Sequence, residues 1–432
     1  MWEALFFAAK CLFGAGCLYI LYFIVKFELR KQELQRQGVV FLPYFPILSD
    51  FLRVIYQSMK DPSRFPFSPM AKRALGTDTL PEKIGICLFG MPLVMFTSSS
   101  CLDEIYTTKN VYHSKHKLER QGAKPFVGEN IVSMETDDPN YKKKRKALSA
   151  AFFKNKVAKM TMSVKEHTLR KFKELQAKGS ENRVDLNLFT QNVQASIIVS
   201  ILVGQKYCDQ EIPYVDLIDG SQKTLNLPDY LNQQMLDILY RFKNNPLLMA
   251  IPSLIEKPIF AVDQRHFANT KAIRGAIADI INKRKSGEVT EGLKGDDDSE
   301  LDLVGMLLQE ESYKSVDEIV DDIIVMFIAG SQTVQMVTTN LITNMIEHPE
   351  MLKRFRAETE PLMERVKDDI MNKMTIEEVE ELEFTKMAYM ETLRRDPSIP
   401  ISSTSTVTKP CTINGVSFKP GDPFYVGISD IQ

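Results

Sequence analysis

Apolar residues recur with a helical period along most of the chain beyond residue 190. A recurrence every three to four residues is typical of helices that bury one face. It predicts four long helices with few breaking residues, over 192–203, 263–285, 316–345 and 348–366. Within the third, the run Ile323–Gly330 is apolar almost all round. Such a run predicts a helix buried in a protein core.

Two short stretches have the patterns of β-hairpins instead. Residues 84–89 and 93–97 favour strands, and Gly90-Met91-Pro92 separates them. Near the end, Asn414-Gly415 lies between β-branched and aromatic residues, which is a strong hairpin signal. The sequence therefore predicts a mostly α fold with small β-sheets.

The amino-terminal segment has a membrane-anchor pattern. Residues 5–25 are apolar except for Lys10, and four basic residues follow, Lys26, Arg30, Lys31 and Arg36. About 20 apolar residues span a bilayer, and the basic flank is expected on the cytoplasmic side. A cleaved signal peptide is the competing interpretation, but it would have its basic residues before the apolar run. We favour an uncleaved anchor.

The chain divides into three predicted parts. Residues 1–27 form the anchor, 28–46 a linker, and 47–432 one large domain. Pro43 and Pro46 stiffen the linker into an elbow, because proline fixes φ and removes a donor. The elbow either aims the domain at the membrane surface or is a plain connection.

Charge and cysteine content exclude some function classes. The formal net charge of −2 argues against a nucleic-acid partner, which requires a basic surplus. The six cysteines are far apart in the sequence and include no CxxC pair. We therefore expect no metal site of zinc type and a reducing compartment.

The first candidate site is Ala329-Gly330-Ser331-Gln332-Thr333 in the buried helix. Glycine in a helix interior costs about 1 kcal/mol relative to alanine, so Gly330 needs a reason. The close approach of a flat ligand is one such reason, and tight packing in the core is the other. Thr333 is spaced to donate back to the carbonyl of Ala329, four residues earlier.

Two further candidates are charged. Glu391 and Arg394 are three apart on one helix face, where they can form a buried, charge-assisted pair. Tyr141 and Arg145 lie four apart in the stretch 141–152, whose start is basic and which is expected to be helical. That stretch could hold anionic groups or an acidic partner, or be only a solvated face.

The order of these features carries more information than any one of them. Anchor, proline elbow, hairpin, the Tyr141/Arg145 helix, the AGxxT helix and then ExxR follow one another along the chain. In this order they resemble the microsomal cytochrome P-450 family over almost the whole sequence. The resemblance implies the mostly α cytochrome P-450 fold, an endoplasmic reticulum membrane location with a single span, and a cytoplasmic catalytic domain.

The resemblance also implies an activity: haem-dependent monooxygenation of a lipophilic substrate with O2. The electrons would come from NADPH through a flavoprotein reductase on a basic face to which residues 142–146 contribute. Ala329, Gly330, Gln332 and Thr333 would be the catalytic residues over the haem. Arg145, next to Tyr141, would bind a haem propionate, and the Glu391–Arg394 pair would brace the haem-bearing core. Segments 126–133 and 400–404 would line the substrate pocket.

The sequence departs from the family at several positions. Tyr141 replaces the usual tryptophan, Gln332 replaces an acid, and Val334 replaces a hydroxyl residue. The family's haem-ligand loop, FxxGxxxCxG, is not found before Gln432, and Cys411 is a poor substitute. We therefore expect a chain that ends at Gln432 to be inactive as a monooxygenase, because its iron would have no axial thiolate.

Three functions remain open at this point. The first is a monooxygenase whose carboxy-terminal sequence has been lost from this chain. The second is a non-catalytic, membrane-tethered relative that binds apolar ligands or partners without iron. The third is a haem-thiolate isomerase or dehydratase, which would suit Gln332 but still needs the cysteine.

Overall fold

A computed structural model describes most of the chain. The described residues are 21–22, 24–43, 67–88, 91–115, 124–136, 138–150, 154–177, 183–245, 248, 254–288 and 302–431. The chain divides into two compact units: Met1–His116 with Ile399–Gln432, and Lys117–Ser398. Most of the predicted anchor, 1–27, and residues 44–46 of the predicted linker lie outside the described residues.

The first unit contains most of the described strands. Its helices are α1, over residues 24–36, and α2, Phe67–Leu75, and short turns lie at Ser99–Cys101, Glu104–Thr108, Asn110–Tyr112 and Ile428–Asp430. Its strands are β1 (Val40–Phe41), β2 (Lys83–Leu88), β3 (Met91–Phe96), β4 (His113–Lys115), β7 (Ser405–Val407), β8 (Cys411–Ile413), β9 (Val416–Phe418) and β10 (Pro423–Val426). Six of these form one sheet in the order β1-β2-β3-β10-β7-β4, and β8 pairs with β9.

The strand pairing explains where the core of this unit lies. β10 runs parallel to β3 and antiparallel to β7, and all four of its residues are buried. Phe424 packs edge-on against Phe96, with ring centroids 6.1 Å apart. Arg30 on α1 donates to the carboxylate of Asp422 at 2.5 Å, which attaches this helix to the turn before β10. Residues 28–41, which the sequence assigns to a linker, thus form α1 and β1.

The second unit is mostly helical. Its helices are α3 (Lys124–Val127), α4 (Pro139–Ala150), α5 (Lys154–Ala177), α6 (Leu186–Val203), α7 (Leu227–Asn244), α8 (Ala261–Lys285), α9 (Leu303–Leu308), α10 (Val316–Glu347), α11 (Pro349–Val366), α12 (Ile370–Lys373), α13 (Ile376–Glu380) and α14 (Glu383–Arg395). A short turn at Gln205–Tyr207 follows α6. A hairpin of β5 (Glu211–Val215) and β6 (Gln222–Asn226) precedes α7.

The longest helix, α10, is the centre of this unit. It begins at Val316, after the capping residue Ser315, whose hydroxyl accepts from the amide of Glu318, and its residues 319–325 are all buried. It packs along α6, and together they supply much of the core, including Val199, Ile324 and Phe327. In the described chain, α6 and α10 are also long and apolar enough to cross a membrane, but at least half of each apolar stretch is buried inside the protein. Burial of this kind is typical of core helices.

The predicted fold class is confirmed: the described chain is mostly α with small sheets. All four predicted long helices form: α8, α10 and α11 end within two residues of their predicted bounds, and α6 begins six residues before its predicted start. The hairpin of β2 and β3 forms, but Met91 and Pro92, predicted to separate the strands, belong to β3 and pair with Leu88 and Cys87. In the second hairpin, Asn414 and Gly415 have φ of 44° and 72°, as a two-residue turn of this type requires.

Candidate functional site

The Ala329–Thr333 stretch lies where α10 changes from buried to exposed. Ala329 is exposed, while Gln332 and Thr333 are partly buried. The hydroxyl of Thr333 donates to the carbonyl oxygen of Ala329 at 2.6 Å, as the spacing predicts. Met336, on the same side one turn further on, is 46% exposed although it is a large apolar residue. This side of a core helix is therefore open to a ligand or to further chain.

Gly330 has a packing explanation in this structure. A Cβ atom built on it would lie 2.7 Å from Cδ1 of Ile198 on α6, closer than van der Waals contact allows. The glycine therefore lets α10 and α6 approach each other. Of the two reasons considered for a glycine here, this is tight packing in the core, and the other is the close approach of a flat ligand. Polar groups hold the same two helices together one turn later, where Gln335 donates to the side-chain oxygen of Asn187 at 2.6 Å.

The basic stretch forms α4, as predicted, but its side chains do not all face solvent. Tyr141 is half-buried against the core, and Arg145 is exposed. The guanidinium of Arg145 makes no ion pair with any residue that the structure describes. Lys144 is 4% exposed, lies 2.8 Å from the carboxylate of Glu318, and sits over the ring of Tyr313. The expectation of a solvated face is therefore wrong for Lys144.

Glu391 and Arg394 form the predicted ion pair on α14. Nε of Arg394 donates to Oε2 of Glu391 at 2.7 Å, and its second nitrogen donates to Oε1 at 2.5 Å. This hydrogen bonding lowers the pKa of the Glu391 carboxyl. The side chains are 56% and 57% exposed, so the prediction of a buried pair is wrong in the described chain. Burial would need other chain packed over α14, which helical spacing cannot reveal.

Glu391 also lines a surface pocket of about 510 Å³. The pocket lies where the end of α10, the start of α11 and the last turns of α14 meet. Met351 and Ala388 are apolar residues of its wall. Its charged and polar residues are Asn344, His348, Glu350, Glu391, Thr392 and Arg395. The carboxylate of this predicted site residue therefore faces open space as well as its arginine.

The described cysteines are poor thiolates. Cys87, Cys101 and Cys208 are buried, and Cys411 is partly buried. Burial raises the pKa of Cys101 to about 11 and that of Cys208 to about 12, and it also raises the pKa of Cys411. The thiol of Cys208 is 4.0 Å from Nε2 of His167, but an imidazole whose own pKa is lowered by burial is no source of positive charge. The thiols of Cys101, Cys208 and Cys411 are therefore less readily ionised than that of a free cysteine, and none of the four described cysteines lies in an FxxGxxxCxG sequence.

The remaining site residues fit part of a haem environment. The small, exposed side chain of Ala329 leaves room for a flat group beside α10. The exposed guanidinium of Arg145, which has no carboxylate partner among the described residues, suits a propionate. What the described residues do not supply is the iron ligand.

Sequence reasoning missed a polar cluster in the first half of α10. Asp321 and Asp322 are adjacent, 8% and 0% exposed, and each carboxylate accepts two hydrogen bonds. Burial raises the pKa of both carboxyl groups, while the Arg274 guanidinium opposes this at Asp321. The available signal was a pair of acids interrupting an otherwise apolar helix.

Comparisons with known proteins agree with this arrangement. A family model described as Cytochrome P450 matches residues 83–432. Cytochrome P450 6d1 of Musca domestica is 21% identical over 343 residues, which are 75% of this chain and 64% of that protein. Norfluorocurarine oxidase of Strychnos sp is 23% identical over 357 residues, or 78% of this chain and 65% of that protein. Cytochrome P450 71B14 of Arabidopsis thaliana is 33% identical over 105 residues, 24% of this chain and 20% of that protein.

The chain thus spans just under two thirds of the length of the first two relatives. The match covers far more than half of the chain and includes α4, α10 and α14 with their predicted site residues. The chain belongs to the cytochrome P450 family.

Proposed function

We propose that this chain is the larger part of a haem-dependent monooxygenase that oxidises a lipophilic substrate with O2. One observation supports this most strongly: the open side of α10 at Ala329 and Thr333, in the middle of the central helix of its unit. A soluble core helix normally has its middle covered. Here a small residue and a hydroxyl are left accessible together, which suits a reaction centre beside the helix.

A thiolate-bound haem would supply the electron push that favours O–O cleavage. The residues of this chain would bind and orient around it. The Thr333 hydroxyl already donates to the Ala329 carbonyl oxygen, so its oxygen remains free to accept from water. Gln332 can orient water through its amide but has no titratable proton of its own.

Two more residue pairs have proposed roles in holding the cofactor. Arg145 would form a charge-assisted contact with a propionate, next to the partly buried ring of Tyr141. The two hydrogen bonds from Arg394 to Glu391 fix the direction of the guanidinium. Its exposed edge would then brace the chain that carries the iron ligand.

The proposed location is the endoplasmic reticulum membrane, with one span and a cytoplasmic domain. The described start of the chain supports this: Leu21, Tyr22, Val25 and Leu29 are 48–64% exposed, although all are large and apolar. Leu21, Tyr22 and Val25 belong to the apolar run of residues 5–25, and Leu29 lies just after it. The positive-inside rule places the basic residues that follow the run on the cytoplasmic side.

The basic surface of α4 makes a prediction about the reductase. We expect that Lys143→Glu or Lys146→Glu weakens binding of a microsomal flavoprotein reductase about two- to fivefold at low salt, because both side chains are exposed and would steer an acidic partner. The measurement is titration of the reductase against the membrane-bound protein at two salt concentrations.

Lys144→Gln is the matched control for that experiment. This lysine is buried against Glu318 and Tyr313, so its replacement should lower thermal stability and leave the salt dependence of reductase binding unchanged. Equal weakening of binding by all three changes would contradict a docking role for the exposed face.

The function itself is tested by isotope incorporation. Membranes would contain a flavoprotein reductase and this chain continued through an FxxGxxxCxG loop, and they would receive NADPH, ¹⁸O2 and a mixture of lipophilic compounds. A monooxygenase places one ¹⁸O atom in a product, and the label should be lost when the protein is omitted. Tight binding of the compounds with no labelled product would instead favour the non-catalytic relative.

A further inference from the structure

The segment of residues 126–133 is attached to α10 by its backbone. The amide of Glu129 donates to Oδ2 of Asp321 at 2.9 Å, and the amide of Ile131 donates to Oδ1 of Asp322 at 2.6 Å. A third tether comes from α8, where Arg274 donates to the carbonyl oxygen of Phe126 at 3.0 Å. Alternate amides of one segment thus meet adjacent carboxylates of one helix.

At one position of the segment, residue 128, the backbone lies so close to the Asp321 carboxylate that only glycine fits. Gly128 has φ of +59°, and a Cβ atom built on it would lie 1.9 Å from Oδ1 of Asp321. Any side chain there would displace the carboxylate and would also strain the backbone. The segment's own contacts add to this: Phe126 is fully buried, and Asn130 bonds to Val127, Val132 and Ser133.

The second oxygen of each carboxylate has a different partner. Oδ1 of Asp321 accepts from Arg274 at 2.6 Å, and a guanidinium can only donate. Oδ2 of Asp322 accepts from the hydroxyl of Tyr313 at 2.7 Å, and a hydroxyl can donate or accept. An asparagine amide could therefore keep both hydrogen bonds at position 322 but only one of them at position 321.

We propose that Asp321 and Asp322 are positioning residues that hold segment 126–133 in place, and thereby fix one wall of the substrate pocket. The role of that wall rests on the proposed function, whereas the attachment of the segment does not. Val132 is 50% exposed, so the segment presents an apolar side chain to the outside. Its backbone is bound on the other side by the two carboxylates of α10. A lipophilic ligand would then meet a wall whose shape is set by two carboxylates.

The isosteric amides provide the test, because their expected results are opposite. In Asp322→Asn, the oxygen can still accept from Ile131 and the amide nitrogen can donate to Tyr313, so both bonds survive. In Asp321→Asn, one of two obligate donors must face an NH2 group, and Arg274 loses its counter-charge. A buried charge-assisted bond that is lost should increase opening of the segment roughly ten- to hundredfold.

The readout is native-state hydrogen exchange of the backbone amides of Glu129 and Ile131 in the full chain. We expect exchange to speed up roughly tenfold or more in Asp321→Asn and Asp322→Ala and to stay within about twofold of wild type in Asp322→Asn. Amides of the β5–β6 hairpin, such as that of Tyr214, serve as the internal reference for global opening.

Three outcomes would overturn the proposal. One is unchanged exchange in Asp321→Asn, and another is equally fast exchange in both asparagine variants. The third is a rise that is the same in the hairpin as in the segment, which would mean general destabilisation. Because the measurement needs neither haem nor substrate, a failure of the proposed monooxygenase activity in the isotope experiment is seen separately.

Discussion

Replacing Asp263 with alanine is expected to lower the free energy of unfolding by about 3–5 kcal/mol, because it leaves the charge of a buried arginine without its partner. Arg241 on α7 and Asp263 on α8 are 2% and 1% exposed, and Nε of the arginine is 2.5 Å from Oδ1 of the aspartate. The same guanidinium donates to the carbonyl oxygen of Ile255 at 2.6 Å. The other oxygen of Asp263 accepts from the amide of Phe260 at the start of α8.

The measurement is the thermal midpoint followed by circular dichroism, where a loss of this size corresponds to roughly 10 °C. Two variants frame the result. Asp263→Asn keeps an oxygen acceptor and should lose less. Glu364→Ala removes an ion pair whose side chains are 58% and 72% exposed, and it should leave the midpoint within error. If the alanine at 263 shifts the midpoint no more than the alanine at 364, the buried pair does not stabilise the unit as described.

The second large effect concerns haem rather than stability. In the haem-loaded chain continued through an FxxGxxxCxG loop, we expect Arg394→Ala to reduce retained haem at least tenfold, while the circular dichroism spectrum stays unchanged. The pair with Glu391 is exposed in the described chain, so its loss removes little folding energy here. Its proposed role is to hold the direction of a guanidinium that braces the iron-bearing chain. Arg394→Lys should not restore haem retention, because lysine cannot form two parallel hydrogen bonds to one carboxylate.

The neighbouring arginine is the control for that experiment. Arg395 is also exposed, lies at the same end of α14, and contacts Asp396 and His348. Arg395→Ala should retain haem like the unchanged protein. The haem content per protein can be read from the pyridine haemochrome spectrum. Equal loss in both variants would point to the charge of this surface, and equal retention would remove Arg394 from the proposed site.

Local features of this fold could be predicted because local rules decide them. The periodicity of 316–345 predicted α10, and the Asn414-Gly415 pair predicted a two-residue hairpin. The bond from Thr333 to Ala329 and the pairing of Glu391 with Arg394 follow from helical spacing alone. In each case the partners are within a few residues, so no knowledge of the wider fold is needed.

What the sequence could not provide depends on contacts between distant segments. The burial of Lys144 follows from Glu318 and Tyr313, which lie about 170 residues later, so the basic run alone could not distinguish this lysine from its exposed neighbours. The function of Asp321 and Asp322 depends on amides about 190 residues earlier. The exposure of Glu391 and Arg394 depends on what packs over α14, and spacing within a helix says nothing about that.

The central claim is that this chain forms the haem-bearing fold of its family and needs a thiolate that its described cysteines do not provide. The most direct test is the carbon-monoxide difference spectrum of the reduced protein. It would be recorded for the 432-residue chain with added haemin and for the same chain continued through an FxxGxxxCxG loop. We predict a thiolate-type Soret band only in the continued chain. A thiolate-type band from the 432-residue chain, or no haem binding by the continued chain, would contradict the account.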